Sequence, residues 1–215
     1  MKHRKAKKVL EVLKKQYPNF CITLGRNSFE ILISTMLSAQ ANDKQTIPAS
    51  KELLKRYKSP QDLAMANAMD VERTIKRIGL YKTKARRVIL ASKILVEKYN
   101  GKVPSKMEEL IKLPGVGRKT ANIVLSKAFG KVEGIAVDTH VFRVSRRLGL
   151  SQGKTALAVE RDLMDLYPQS EWCLINEIFI AHGRNTCKAK RPNCNICKIK
   201  AYCDFYKNNK PINQH

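Results

Sequence analysis

The chain has 215 residues, and 43% of them are hydrophobic, which allows a packed core and excludes a wholly disordered protein. No run approaches about 18 consecutive apolar residues, which excludes a transmembrane helix. The first residues are charged rather than apolar, so they do not form a signal peptide core. We therefore expect an intracellular protein, placed in the cytoplasm or nucleoid if its source is prokaryotic, with no membrane partner.

The charge is strongly unbalanced, with 42 Lys and Arg residues against 18 Asp and Glu residues and a net charge of +24. Such an excess destabilises a compact chain by self-repulsion, and a polyanionic partner would explain it. A lysine-rich proteome or a thermophilic source is the alternative. Nucleic acid is the partner that the composition favours.

Apolar residues recur at helical spacing along most of the chain. The first such stripe follows Ser28, a candidate N-cap, and later stripes follow Asp138 and end before Tyr167-Pro168. Only Gly134 to Val137 could be extended, and four residues make a poor strand. The sequence predicts an all-α fold. The residues of the first stripe are Phe29, Leu32, Ile33, Met36 and Leu37.

A glycine-rich turn joins two predicted helices at Leu113-Pro114-Gly115-Val116-Gly117-Arg118-Lys119. Two glycines one residue apart allow positive φ angles and close backbone approach. The amide groups at the start of the second helix would then face a phosphate oxygen without contacting a base. A tight helical turn without a ligand is the alternative reading. The spacing fits neither a Rossmann nor a Walker loop.

Lys119 lies at the positive end of the second helix, where a further positive charge is unfavourable. That environment favours the neutral amine, which is the form that attacks a sugar carbon and makes a Schiff base. A phosphate-contacting lysine is the simpler alternative. Asp138 begins the next helix, where its carboxylate can serve as an N-cap and still remain a catalytic anion. His140, in the first turn of that helix, is interpreted as structural.

Four of the six cysteines lie close together near the C-terminus, with the spacing C-x6-C-x2-C-x5-C. They are Cys187, Cys194, Cys197 and Cys203. In an intracellular chain such a group favours a metal site over disulfides. Four thiolates suit zinc or an iron–sulfur cluster, although this spacing differs from paired C-x2-C zinc knuckles. Cys21 and Cys173 lie among apolar residues and are interpreted as core residues.

These motifs together resemble the endonuclease III family, bifunctional DNA glycosylases and AP lyases of the helix–hairpin–helix superfamily. The resemblance covers nearly the whole chain. It rests on five segments in the family's order: Leu37-Ser38-Ala39-Gln40, Ile78-Gly79-Leu80-Tyr81, Leu113 to Asn122, Val137-Asp138-Thr139-His140, and Cys187 to Cys203.

The resemblance implies a role for each matching residue. Lys119 matches the Schiff-base nucleophile and Asp138 the catalytic aspartate. Gln40 and Leu80 match the residues that enter the duplex when a base is flipped out, and the four cysteines match the ligands of a 4Fe–4S cluster. DNA contacts are also expected from the hairpin and from the basic loop among the cysteines: Gly115, Val116, Gly117, Arg118, Lys190 and Arg191.

The implied fold has two helical domains flanking a DNA-binding cleft. Residues 21–131 would form a six-helix domain with the hairpin, and residues 1–20 with 132–215 the iron–sulfur cluster domain. The implied enzyme removes oxidised pyrimidines from duplex DNA and cleaves at abasic sites by β-elimination, acting as a monomer on double-stranded DNA that contains such damage.

Three other functions share part of this pattern. The first is an adenine-mismatch glycosylase, which lacks the lysine and carries a long C-terminal domain. The second is a lysine-bearing relative that prefers mispaired or photodamaged pyrimidines. The third is a non-catalytic DNA-binding module, which would need neither Lys119 nor Asp138. The chain also departs from the family at Ala41-Asn42-Asp43, at Asn176-Glu177, and between Gly130 and Asp138, where it is about one residue longer. The first two departures affect the expected lesion preference.

Overall fold

The computed structural model describes residues 1–18, 25–41 and 43–209. Cys21 and Asn42 lie outside these ranges. All regular secondary structure in the described ranges is helical, which confirms the all-α prediction, and Gly134 to Val137 forms no strand. The α-helices are α1 (Lys2–Gln16), α2 (Ser28–Ser38), α3 (Asp43–Arg56), α4 (Pro60–Ala64), α5 (Ala68–Thr74), α6 (Tyr81–Tyr99), α7 (Met107–Leu110), α8 (Arg118–Phe129), α9 (Thr139–Arg147), α10 (Ala156–Leu166), α11 (Trp172–Asn185) and α12 (Asp204–Asn208).

The chain divides into two compact units. Thr23–Glu133 form one, called here the hairpin unit. Met1–Ile22 and Gly134–His215 form the other, called here the cysteine unit. Short 3₁₀ turns at Gln169–Glu171, Cys194–Ile196 and Lys200–Tyr202 belong to the cysteine unit. No helix in the described ranges is long and apolar enough to cross a membrane.

Helix α2 lies at the centre of the hairpin unit, where it packs against α3, α6 and α8. The sequence predicts a one-sided apolar stripe for it, but Ile31, Ser34 and Thr35 are buried as well as the stripe residues. The Thr35 hydroxyl donates to the Ile31 carbonyl at 2.6 Å within the helix, so its polar atom needs no partner from outside. The helix is therefore buried on nearly all sides.

The cap of α2 differs from the prediction by one residue. Ser28 is the first helical residue, and Asn27 is the N-cap, with its side chain accepting from the Glu30 amide at 2.9 Å. The Glu30 carboxylate in turn accepts from the Arg26 amide at 2.8 Å. Asparagine and serine cap helices about equally well, so their adjacent positions leave the boundary open to this error.

The cysteine unit packs α9 against α10 and α11, and α1 against α10 and α11. Its apolar core takes one face of each helix, with Leu13, Val141, Leu163 and Phe179 fully or almost fully buried. The buried Tyr167 hydroxyl donates to the Ala6 carbonyl of α1 at 3.2 Å. Through this core, α9 and α11 provide the base on which the C-terminal cysteines lie.

Candidate active site and metal centre

The glycine-rich turn joins α7 to α8 as a tight hairpin. The Val116 amide donates to the Leu113 carbonyl at 3.0 Å, and the Val116 side chain is buried in the core of the hairpin unit. Gly115 has φ +83°, a conformation that favours glycine. Val116 therefore holds the turn from inside, and Gly115 and Gly117 lie exposed on its outer side.

Gly117 differs from the expectation that both glycines adopt positive φ. It is the N-cap of α8, with φ −96° and ψ 176°, which any residue can adopt. A Cβ atom added there would meet no atom within 4 Å. Neither backbone conformation nor internal packing of the unit requires glycine at this position. Gly117 itself offers no side chain to cap α8, and the positive end of the helix dipole favours an anion there.

Lys119 and Arg118 are exposed in the first turn of α8. The inner face of that helix is packed into the unit through Ala121, Val124 and Leu125, all fully buried. This packing fixes the axis of α8 and presents both basic side chains at its positive end. The arrangement places an amine beside a site suited to phosphate.

Asp138 is the N-cap of α9, as predicted. Its carboxylate accepts from the amides of His140 and Val141, each at 2.8 Å. The half-buried His140 ring contacts the guanidinium of Arg143 at 3.1 Å, and burial lowers the pKa of His140. Backbone amides thus orient the Asp138 carboxylate, and His140 takes part in the packing of the same turn.

The departure at Asn176 and Glu177 lies inside the cysteine unit, where both residues are buried on α11. The Asn176 side-chain amide donates to the Ala136 carbonyl at 2.5 Å. Ala136 precedes Asp138 by two residues, so this bond ties the segment leading into the cap to α11.

Three of the predicted DNA-contact residues have left-handed backbone conformations. In the described ranges, positive φ at non-glycine residues occurs at Gln40, Leu80, Asn100 and Arg191. Asn100 is an ordinary helix C-cap, whereas Gln40, Leu80 and Arg191 are exposed side chains. Leu80 shows 62% exposure, which is unfavourable for an apolar side chain in water. Left-handed backbone conformations at residues other than glycine are strained, and this strain is commonly found at functional positions.

The four C-terminal cysteines line one pocket of the cysteine unit, which is partly open to solvent. Val144 of α9, Leu148 directly after that helix, and Ile199 provide apolar parts of its wall. Cys187, Cys197 and Cys203 also pack against the core of the unit. Burial raises the pKa of the Cys197 and Cys203 thiols.

The metal-binding groups of this pocket include four cysteine thiols. Among the described residues, no group of three or more His, Cys, Asp or Glu side chains could hold one ion. Zinc held by four thiolates requires each sulfur about 2.3 Å from a common centre. Four cysteine thiols that line one pocket have the chemistry to bind a polynuclear cluster, in which each cysteine binds a different metal atom.

Two residues at this pocket were missed by the sequence analysis. Arg147 of α9 donates to Cys187 Sγ at 3.4 Å and to the carbonyls of Lys188 and Ala189 at 2.7 and 3.0 Å. His182 of α11 places Nε2 3.8 Å from Cys197 Sγ. The only signal in the sequence is their position on helices next to the cysteine motif.

His182 also contacts the segment that follows α1. Its Nδ1 lies 3.4 Å from the Tyr17 hydroxyl, which contacts the Thr186 hydroxyl at 3.2 Å. Burial lowers the pKa of His182 to about 4, so the ring is neutral at physiological pH. If Nδ1 accepts from Tyr17, Nε2 carries the proton and donates to the Cys197 sulfur.

Comparison with known proteins shows the family of the chain. Residues 33–169 match the family described as "HhH-GPD superfamily base excision DNA repair protein". Endonuclease III of Thermotoga maritima is 48% identical over 179 residues, which cover 83% of this chain and 84% of that protein. The chain belongs to the endonuclease III family. It is accordingly a base excision repair DNA glycosylase and AP lyase.

Solved structures of endonuclease III share the fold. A non-covalent endonuclease III–DNA complex matches with a TM-score of 0.91 and 42% identity, covering 96% of this chain and 97% of that one. A trapped endonuclease III–DNA covalent intermediate matches with a TM-score of 0.91, 41% identity and the same coverage.

Proposed function

We propose that the enzyme binds double-stranded DNA as a monomer, excises oxidised pyrimidines and cleaves the abasic strand by β-elimination through a Schiff base on Lys119. The observation that carries this proposal is the exposed Lys119 in the first turn of the helix that follows a glycine hairpin. The two matching endonuclease III structures, one a non-covalent DNA complex and one a trapped covalent DNA intermediate, support it.

The hairpin would hold one phosphate of the DNA backbone. Gly117 offers no capping side chain, and a ligand can approach the backbone closely there because glycine has no Cβ. Arg118 adds positive charge at the same end of the helix. Since these groups contact only backbone oxygens, the binding would not depend on sequence.

Lys119 would act as the nucleophile once the damaged nucleotide is flipped out of the duplex. Its amine attacks C1′, the C1′–N bond breaks, and the base leaves with its bonding electrons and takes up a proton. The lysine nitrogen loses a proton, the C1′–O4′ bond opens as that nitrogen forms an imine to C1′, and O4′ takes up a proton. The imine makes the C2′ proton acidic, and loss of that proton breaks the bond from C3′ to oxygen and expels the 3′ phosphate. The Asp138 carboxylate would stabilise positive charge on the sugar or assist proton transfer.

Gln40 and Leu80 would fill the space that the flipped nucleotide leaves. Both are exposed, and both have left-handed backbones that hold them at turns between helices. An exposed leucine has an apolar surface that can stack between bases, and a glutamine can hydrogen bond to the base left without a partner. Their strain is consistent with a role in binding rather than in stability.

We further propose that the four cysteines bind a 4Fe–4S cluster. The pocket that all four cysteines line, the Arg147 hydrogen bond to Cys187 Sγ, and the His182 ring beside Cys197 Sγ support this cofactor. When bound, the cluster would join four points of the chain and thereby fix the exposed loop that carries Lys190 and Arg191. These two residues would contact DNA phosphates.

The cofactor proposal is tested by metal analysis. Protein purified without oxygen should contain about four irons per chain and absorb visible light through thiolate-to-iron transitions. Cys194→Ser should lose the iron, whereas Cys173→Ser, a half-buried cysteine outside the pocket, should keep it. One zinc and no iron in the native protein would contradict the proposal.

The catalytic proposal is tested by borohydride trapping on a duplex with one oxidised pyrimidine. Wild type should form a permanent protein–DNA adduct, because borohydride reduces the imine. Lys119→Gln should bind the duplex without forming the adduct, and Lys127→Gln, on the same helix, should trap as wild type does. Excision and trapping by Lys119→Gln at the wild-type rate would show that another group is the nucleophile. Faster trapping on mispaired or photodamaged pyrimidines would reassign the substrate class.

A further inference from the structure

Lys84 is a buried lysine in the interior of the hairpin unit. Its side chain lies in the first turn of α6 and the residue shows only 6% exposure. Its Nζ donates to the backbone carbonyl of Leu37 at 2.7 Å. Burial lowers the pKa of the Lys84 amine, so burying a charge here has an energetic cost. An apolar side chain could fill the same space without that cost.

The carbonyl that Lys84 contacts lies at the end of α2, just before Gln40. In a continuing helix, the Leu37 carbonyl would accept from the Ala41 amide. Here Gln40 has φ +52°, and the Ala41 amide donates instead to the Ser38 carbonyl at 3.2 Å. The Lys84 amine thus takes the carbonyl that the turn at Gln40 leaves unused. A cation at this end of α2 also interacts favourably with the helix dipole.

The backbone of Lys84 is also bonded to the turn at Leu80. Leu80 is the N-cap of α6 with φ +61°, and its carbonyl accepts from the Lys84 amide at 3.0 Å. One residue therefore has its backbone bonded to the Leu80 turn and its side chain bonded to the end of α2. It joins the two strained turns that present Gln40 and Leu80.

We propose that Lys84 is a positioning residue that holds Gln40 and Leu80 at a fixed separation for entry into the duplex. This inference rests on the proposed gap-filling role of those two side chains. Lys84 itself is buried and touches neither DNA nor the reacting sugar. Its effect on the reaction is exerted through the two turns.

The test compares two substrates under single-turnover conditions, one with the oxidised pyrimidine in a full duplex and one with it in a short unpaired bubble. Lys84→Met, which keeps most of the side-chain length but loses the donor, should excise from the duplex about tenfold more slowly, as expected for a lost charged hydrogen bond. Excision from the bubble should change by less than about twofold, because no stacked gap must be filled. Lys93→Met, an exposed position on the same helix, should match wild type on both substrates.

A second background separates positioning from general structural damage. In enzyme that carries Gln40→Ala and Leu80→Ala, the side chains that Lys84 positions are absent. Adding Lys84→Met there should slow duplex excision by less than about twofold, since the effects of coupled residues are not additive. Lys84→Arg, which keeps a charged donor, should retain most of the duplex rate. If Lys84→Met does not fold by circular dichroism, Lys84→Gln, which is shorter than the observed contact requires, replaces it in both comparisons.

The outcomes distinguish this inference from the function on which it rests. Equal losses on duplex and bubble, or an undiminished loss in the doubly substituted background, would make Lys84 a purely structural residue and overturn the inference. If the Gln40→Ala, Leu80→Ala enzyme selectively loses duplex activity but Lys84→Met does not, only the role of Lys84 is wrong. If that doubly substituted enzyme shows no selectivity, the gap-filling role itself fails and the inference with it.

Discussion

Two neighbouring helices in the sequence, α8 and α9, begin in opposite ways. At the start of α9, the Asp138 carboxylate accepts two backbone amides at 2.8 Å, so the chain satisfies its own helix end. At the start of α8, Gly117 provides no side-chain cap, the first turn has no acidic residue, and Arg118 and Lys119 add positive charge. A helix start with this composition favours an anion from outside the chain. The comparison thus sets a helix start capped by its own carboxylate against one whose charge suits the phosphate contact proposed for it.

The largest expected effect comes from removing the charge of Asp138 at the start of α9 while keeping the helix cap. Asp138→Asn should retain the fold and DNA affinity, because asparagine also caps helices, but turnover should fall by about a hundredfold or more. Single-turnover excision and a thermal melt measure the two properties together. Asp138→Ala should be equally slow and in addition lose about 1 kcal/mol of stability. Turnover near wild type for Asp138→Asn would reduce Asp138 to a cap.

The sequence predicts these two helix starts to different degrees, and the reason is local. Asp138 is predictable as a cap because it directly precedes an apolar stripe, and the confirmed cap needs only residues two and three positions later. The lack of a capping side chain at position 117 follows from the glycine motif. The negative φ of Gly117 does not, since glycine permits either sign. The missed cap at Asn27 shows the limit where two good capping residues are adjacent.

The supporting residues were not predictable, because their partners are distant in the sequence. Lys84 bonds to Leu37, 47 residues away, and Arg147 bonds to Cys187, 40 residues away. Local patterning shows a basic residue on an amphipathic helix in both cases, which is ordinarily a solvated position. Only the packing of α6 near the end of α2, and of α9 beside the cysteine pocket, gives these side chains their roles.

A smaller effect is expected when a capping carboxylate is introduced at the start of α8. Gly117→Asp should stabilise the fold by a few tenths of a kcal/mol, because Gly117 already has cap geometry with room for a side chain. The same carboxylate would occupy the amides and repel phosphate, so DNA affinity should fall about tenfold. Gly117→Asn provides the cap without the charge and should weaken binding less. DNA affinity equal to wild type in both variants would mean that α8 does not receive a phosphate.

The smallest expected effect is on the salt dependence of DNA binding. If Arg118 at the start of α8 neutralises one phosphate, Arg118→Gln should reduce the slope of log K against log salt by about 0.9 in magnitude. Arg146→Gln on α9 is the matched control, because its guanidinium lies 5.7 Å from the Phe142 ring in the cysteine unit and no phosphate contact is expected there. Fluorescence anisotropy titrations on one duplex at several salt concentrations give both slopes. If Arg146→Gln reduces the slope and Arg118→Gln leaves it unchanged, the phosphate contact belongs to α9 rather than α8.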